Sequence, residues 1–282
     1  MIIYKSPREL EQMRLTGYHA HHILRKMAEK VTPGVTTGEL NDVCRDELER
    51  VGGIGLSKNY PTYKPGEGYP SESCISVNDE IVHGIPGSRR LKEGDIVTLD
   101  LAMKLGDYCA DNAITVGVGR LPPERKKLLD VTRETLEIAI QRAKPGVRWS
   151  DVAREMQRYA ERKGYGVIRD FVGHGIGRKM HEDPKVPNYT NAEQRKSDFV
   201  LRPGMTFAVE PMCVVGKPDT KTLSDQWTIK TKKQKPAAHF EHTLAISEKG
   251  CEVLTDGRLP AGMNRDAAEM RFKTSAPSAQ AA

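Results

Sequence analysis

The chain has 282 residues, 38% of them hydrophobic, which is enough for one large domain with a real core. Its formal charge is +6, most local at Lys230, Lys232, Lys233 and Lys235, but no zinc-finger, helix-turn-helix or RNA-binding signature accompanies that run, so no sequence-specific nucleic-acid reader is expected. No apolar run approaches the ~18 residues of a membrane span; Cys44, Cys74, Cys109, Cys213 and Cys251, odd in number and never spaced CxxC, suit a reducing compartment, not a disulfide framework.

The N-terminus enters a charged amphipathic pattern almost at once, unlike a signal peptide. Residues 7–30 carry Leu10, Met13, Tyr18, Ile23, Leu24 and Met27 at helical spacing. "TPG" breaks that helix, and a second runs over 36–52 to a glycine pair. A loop rich in Gly, Pro and Tyr follows over 52–73, then the strand-like runs "CISVN", "IVHGIP", "DIVTLDLAM" and "NAITVGVG". Beyond "RLPPERK" the plan restarts: two helices, then "VIRDFVGHGIG", "TFAVEPMCVV", "WTIKT" and "AAHFEHTLAIS".

The restart is an internal duplication. "TPGVTTGEL" is echoed by "KPGVRWSDV", "HGIP" by "HGIG" and "LKEGDIVTLDLA" by "LRPGMTFAVEPM", in the same order, at offsets of 112, 91 and 110 residues. One domain over 1–260 is expected, with halves of about 7–121 and 122–254, and 261–282 reads as a flexible tail. The third echo aligns Asp100 with Glu210, each at the end of a β-like run, so two facing halves bring both acids to a common centre.

Asp100 and Asp111 stand where strands normally place apolar residues. With Leu105 and Gly106 as a two-residue hairpin loop, Asp100 falls directly opposite Asp111, an unfavourable facing pair unless a proton or a cation intervenes. Taken alone, the two acids are equally an ordinary solvent-facing edge. Glu210 in "FAVEPM" and Glu241 in "HFEHTLAIS" are two further acids inside apolar runs, where unpartnered carboxylates are seldom buried. His174 sits between glycines in "GHGIG", and His181 follows in "MHEDP". Four carboxylates and one imidazole suit Mn, Fe, Co or Zn, and are too many for one catalytic ion. Two ions about 3.5–4 Å apart would hold and acidify a water, which implies hydrolysis.

These motifs together resemble the type I methionine aminopeptidase family. The likeness runs over roughly residues 4–257 and rests on "HGIP", "GDIVTLD", "ADNAITV", "GHGIG", "MHEDP", "VEPM" and "FEHT" in that order. It implies an α+β, duplicated pita-bread fold with a central antiparallel sheet and outer helices. It implies two divalent metal ions on Asp100, Asp111, His174, Glu210 and Glu241, with Glu210 also handling the proton of the attacking water. His181 is then the group that stabilises the scissile carbonyl oxygen, and His83 the one that meets the leaving amide nitrogen. Tyr69, Cys74, Met180 and Trp227 match positions around the pocket for the substrate methionine. The implied setting is a cytoplasmic, monomeric enzyme acting on nascent chains whose second residue is small, with the lysine run as a candidate surface for ribosome docking.

Three departures touch that pattern. Ala110 and Asn112 flank Asp111 and put the hydrogen bonding behind it in question; Met180 precedes His181 where an aromatic residue is common; Gly66 replaces a frequent second tyrosine. Only 28 residues separate His181 from Glu210, so the helical insertion of type II enzymes is missing. A prolidase-like or Xaa-Pro aminopeptidase activity, or a non-catalytic peptide binder of the same fold, are the alternatives. The retained ligand set argues against the binder.

Overall fold

In the computed structural model, which describes residues 1–61 and 68–270, helix starts follow local chemistry. Helix α1 (Pro7–Glu29) and helix α2 (Thr37–Val51) each begin with a complete capping box, Ser6 with Glu9 and Thr36 with Glu39. Gly52, at φ 68, closes α2 in the left-handed conformation that glycine adopts without penalty. Then come β1 (Ile54–Gly55), β2 (Cys74–Val77), β3 (Glu80–Val82), β4 (Ile96–Leu105) and β5 (Tyr108–Gly117). The second half has α3 (Pro123–Arg142), α4 (Trp149–Arg162), β6 (Tyr165–Val167), β7 (Gly173–Gly175), β8 (Glu182–Val186), β9 (Thr206–Val209) and β10 (Met212–Val215). It continues with β11 (Thr220–Thr222), β12 (Ile229–Thr231), β13 (Ala237–His239), β14 (Glu241–Ser247) and β15 (Gly250–Val253). Residues 265–270, within the segment expected to be a loose tail, form helix α5 (Arg265–Met270) with Ala268 buried against the first half's core.

A nine-stranded antiparallel sheet runs β1-β4-β5-β14-β9-β7-β8, with β2 also on β4 and β15 on β14. Helix α1 packs on β4 and β5, while α3 packs on β10, β13 and β15. Each half has its own apolar core, one built around α1 and α2 and the other around α3, α4 and the fully buried Trp149. This is the expected α+β arrangement of two related halves with helices outside. Among the described residues no helix is long and apolar enough to cross a membrane.

The duplication is visible bond by bond. Gly34 N–H donates to Leu91 O as Gly146 N–H donates to Leu201 O, and Leu91 N–H bonds Val35 O as Leu201 N–H bonds Val147 O. The isolated bridge Thr36↔Arg90 likewise has its counterpart in Arg148↔Val200. Two of the three sequence echoes are therefore structural equivalences. The third is not. Val97 pairs with Val77, and its equivalent Phe207 pairs with Gly175, so His174 corresponds to Ser76 and not to His83. Four letters recur easily by chance, and register overrules them.

The hairpin also differs from its expected register. Leu105 pairs with Tyr108, which leaves Gly106 and Asp107 as the loop, with Gly106 at φ 60. A first loop position at positive φ favours glycine, and this places Gly106 there rather than Leu105. Asp100 is consequently opposite Ala113, and Asp111 opposite Ala102. The shift is two residues, so both acids stay on one face and meet diagonally instead of head-on.

Candidate metal centre and active-site cavity

The register builds the site. Cys74 pairs with Asp100, Asp100 with Ala113, and Ala113 with Glu241, giving one continuous row across β2, β4, β5 and β14. Cross-strand partners share a face, so Asp100 and Glu241 flank the small Ala113 side chain. Asp111 lies two residues along β5 on the same face. Glu210 comes one residue after Val209↔His242, the end of the β9–β14 pairing, and so beside Glu241. The repeat maps Ala113 onto Glu241 and Asp100 onto Glu210, and the local two-fold passes through the Ala113–Glu241 pair. The expected correspondence of Asp100 with Glu210 is the symmetry of the site itself.

His174 arrives from β7, which lies between β8 and β9. A Cβ on Gly173 would stand 2.2 Å from the Ala208 carbonyl oxygen, and one on Gly175 2.0 Å from that of Asp183. Glycine on both sides is what lets this strand fit so closely between its neighbours. His174 Nδ1 lies 2.9 Å from Gly175 O, which fixes the proton there and leaves the Nε2 lone pair toward the acids. Nε2 is 3.7 Å from Asp111 Oδ2 and 3.9 Å from Glu210 Oε1.

One potential ligand atom each from Asp111, His174 and Glu241 lies within 4.8 Å of the others. Asp111 Oδ1 is buried with no hydrogen-bond partner, an uncompensated arrangement that a cation would complete. Burial raises Asp100 well above the ordinary carboxylate range, and the charges of Asp111 and Glu210 push the same way. Glu241 is raised by burial first, then by Asp111, Glu210 and Asp100. Glu210 is pushed up to about 7, burial and Asp111 outweighing the opposing effect of His174. Burial opposes charge on His174, but Asp111 and Glu210 bring it up to about 8. Oxygen donors with one imidazole, mutually repelling when empty, fit a divalent metal ion. The site is a metal-binding one.

Metal loading needs ionised carboxylates and a neutral His174 Nε2, so loading near pH 7 is expected to release protons. Calorimetry in two buffers of different ionisation enthalpy reads this as a buffer-dependent heat; equal heats would contradict it. Without metal, these groups hold more protons folded than unfolded. The stability they contribute is complete at low pH and is lost as pH rises through about 7 for Glu210 and about 8 for His174. The gap in melting temperature between metal-loaded and metal-free protein should therefore widen from pH 6 to pH 8.5.

The centre opens into a cavity of about 900 Å³ whose lining includes all five of these residues together with His83, His181, Met180, Tyr69, Cys74 and Trp227. Tyr69 is buried, donates its hydroxyl to Gly84 O at 2.7 Å and meets Trp227 edge-on at 5.2 Å. Cys74 Sγ lies 3.9 Å from Ser57 Oγ. His83 adopts φ 59, rare for a non-glycine residue, and packs edge-on against Phe171 at 5.4 Å. Its recessed position, and then the nearby His181, push its pKa down to about 4. His181 is at the mouth, its ring 4.3 Å from that of His174 and nearly perpendicular to it.

The Asn112 departure has a location. Its side chain points to the opposite face from Asp111, where Nδ2 donates to Thr255 O at 3.4 Å. Ala110 is buried in the first half's core. Behind Asp111 stands Thr243, which accepts from the Asp111 N–H and donates to its carbonyl oxygen at 2.9 and 2.8 Å. Gly66 lies outside the described residues. Among the cavity residues outside the sequence reading, His239 and Tyr60 stand beside its candidate groups. His239 is buried with neither ring nitrogen bonded, and its Nε2 is 3.8 Å from Glu241 Oε2; the strand period in "HFEHT" was a usable signal, since it lies two residues before Glu241. Tyr60 bonds His181, and only the fold brings them together.

A duplicated half-barrel sheet with a carboxylate and imidazole centre on its inner face defines a metallohydrolase scaffold. A sequence model of metallopeptidase family M24 matches residues 11–248. Methionine aminopeptidase 1 of Bacillus subtilis is 42% identical over 255 residues, covering 90% of this chain and 99% of that protein. The crystal structure of methionine aminopeptidase from Rickettsia prowazekii superposes with a TM-score of 0.85 at 35% identity, over 90% of this chain and all of the other. The prolidase from Pyrococcus horikoshii shares the fold, with a TM-score of 0.70, 21% identity and coverage of 92% of this chain and 65% of that one. The chain belongs to metallopeptidase family M24 and, within it, to the type I methionine aminopeptidases.

Proposed function

We propose that this protein removes the N-terminal methionine from peptides and nascent proteins whose second residue is small, using two divalent ions held by Asp100, Asp111, His174, Glu210 and Glu241. The observation that carries the reading is the convergence of four carboxylates and the His174 Nε2 on the floor of a cavity walled by Tyr69, Cys74 and Trp227. Ions bound there would supply an acidified water and fixed positive charge. Glu210, near pH 7 in its proton affinity, takes the proton of the attacking water and passes it to the departing amine. His181 donates Nε2–H to the scissile carbonyl oxygen as negative charge grows there. His83, neutral at pH 7, faces the amide nitrogen of the leaving residue.

Tyr69, Cys74, Met180 and Trp227 offer apolar and sulfur surface to the thioether side chain. The setting we assign is the cytoplasm, with a single chain working on nascent polypeptides. Ribosome docking falls to the exposed Lys232, Lys233 and Lys235, because Lys230 is paired with Asp79 at 2.9 Å. Metal-reconstituted protein is expected to release methionine from Met-Ala-Ser and scarcely from Met-Leu-Ser. No release with Co, Mn, Fe or Zn would overturn the proposal. Release of residues preceding proline, without preference for methionine, would move the activity to the Xaa-Pro branch.

A further inference from the structure

We infer that Tyr60 is the positioning residue that sets the tautomer and orientation of His181, an assignment that rests on reading His181 as the donor to the scissile carbonyl oxygen. The Tyr60 hydroxyl is 3.0 Å from His181 Nδ1, and the two rings meet edge-on at 5.6 Å and 87°. The His181 ring also packs edge-on against His174 at 4.3 Å. The imidazole thus contacts two rings, and one of them, His174, has its own Nδ1 committed to Gly175 O.

The chemistry selects one of two arrangements for that contact. A neutral imidazole carries one N–H. If Nδ1 donated to the phenol oxygen, Nε2 would turn a lone pair toward the developing oxyanion and repel it. If the phenol donates to Nδ1, the proton sits on Nε2, where a carbonyl oxygen can receive it. Only the second arrangement serves hydrolysis, and a phenol hydroxyl is suited to impose it.

Tyr60 is also well anchored for such a task. Its N–H donates to Ser57 O at 3.0 Å, its carbonyl oxygen accepts from Tyr69 N–H at 3.0 Å, and Asn59 N–H bonds Tyr69 O at 2.8 Å. The bridge Pro61↔Gly68 continues the same pairing, and a Cβ on Gly68 would lie 2.5 Å from Asn59 Cα. The backbone that fixes Tyr60 is therefore tied to Tyr69, whose side chain walls the pocket with Trp227. A substrate side chain that seats against Tyr69 rests on the same paired backbone that orients the His181 donor. This connects recognition of methionine to polarisation of its carbonyl.

The test compares Tyr60→Phe, which keeps the ring and removes the donor, with wild type, His181→Ala and the double variant. In zinc-loaded protein with ¹⁵N-labelled histidine, wild-type His181 should show a pyridine-like Nδ1 and a pyrrole-like Nε2. Tyr60→Phe should move the Nδ1 resonance, leave the melting temperature unchanged, and lower kcat on Met-Ala-Ser roughly fivefold to tenfold with KM within about twofold. It should cost nothing further in the His181→Ala background. An unmoved Nδ1 resonance with unchanged kcat, or a full-sized loss persisting without His181, would overturn the assignment. If His181→Ala alone keeps its kcat, the carbonyl-donor reading fails instead, and the Nδ1 resonance by itself decides whether Tyr60 holds the ring.

Discussion

Asp111→Asn is expected to lower methionine release from Met-Ala-Ser by about a thousandfold or more, well beyond the roughly 10- to 100-fold typical of substitutions behind metal ligands. The reason is position. Asp111 is the acid whose charge bears on Asp100, His174, Glu210 and Glu241 alike, and its Oδ1 is buried with no protein partner. Asparagine keeps the shape, and the Thr243 hydroxyl still satisfies the backbone on both sides. The fold should therefore survive while the site loses a negative charge and one ligand oxygen.

The same substitution should not destabilise the metal-free protein. Removing one of four mutually repelling carboxylates relieves a cost that the ion otherwise offsets. Metal content measured after dialysis should fall, while the melting temperature of the apoprotein holds or rises. An Asp111→Asn protein with wild-type metal content and activity would remove this residue from the centre. A large drop in apoprotein stability would mean instead that Asp111 serves the fold first.

Much of this site could be read from residues alone, because strand periodicity is robust to small errors. The hairpin loop was misplaced by one position, yet the resulting shift of two left Asp100 and Asp111 on their common face. A shift of one would have separated them. The offset of 110 residues between "LKEGDIVTLDLA" and "LRPGMTFAVEPM" likewise mapped Asp100 to Glu210 correctly, since glycine turns and apolar alternation fix both ends of that segment. "HGIP" and "HGIG" misled because four letters alone carry no register, and the second begins inside strand β7. Neither periodicity nor spacing pointed to Tyr60, 121 residues from His181, whose partnership depends on how a loop closes across β-strands from two halves. Asn112 looked like a change behind the ligand and proved to face the other way, which alternation along β5 could have told.

Long-range pairing governs one further prediction, on a contact that no local pattern reveals. Lys5→Met is expected to destabilise the protein by about 3–5 kcal/mol, because it leaves Glu182 buried without its counter-charge. Lys5 Nζ and Glu182 Oε2 are 2.6 Å apart, with side chains only 3% and 5% exposed. Lys5 also donates to Ile3 O, and its N–H is held by Gly204 O, so the pair ties the first residues of the chain to the segment carrying His181. The Met1 ammonium bonds Asp183, two residues after His181, and both Met1 and Ile3 line the cavity. Adding Glu182→Gln should recover most of the loss, since the amide oxygen can still accept the Lys179 N–H that now reaches Glu182 Oε1. Denaturant unfolding of the single and double variants measures the difference. A single variant within about 1 kcal/mol of wild type would show that the charge is relieved by water, the usual outcome at exposed pairs. A double variant as unstable as the single would place the cost in lost lysine packing instead, because the methylenes of Lys5 fill the space against Gly177.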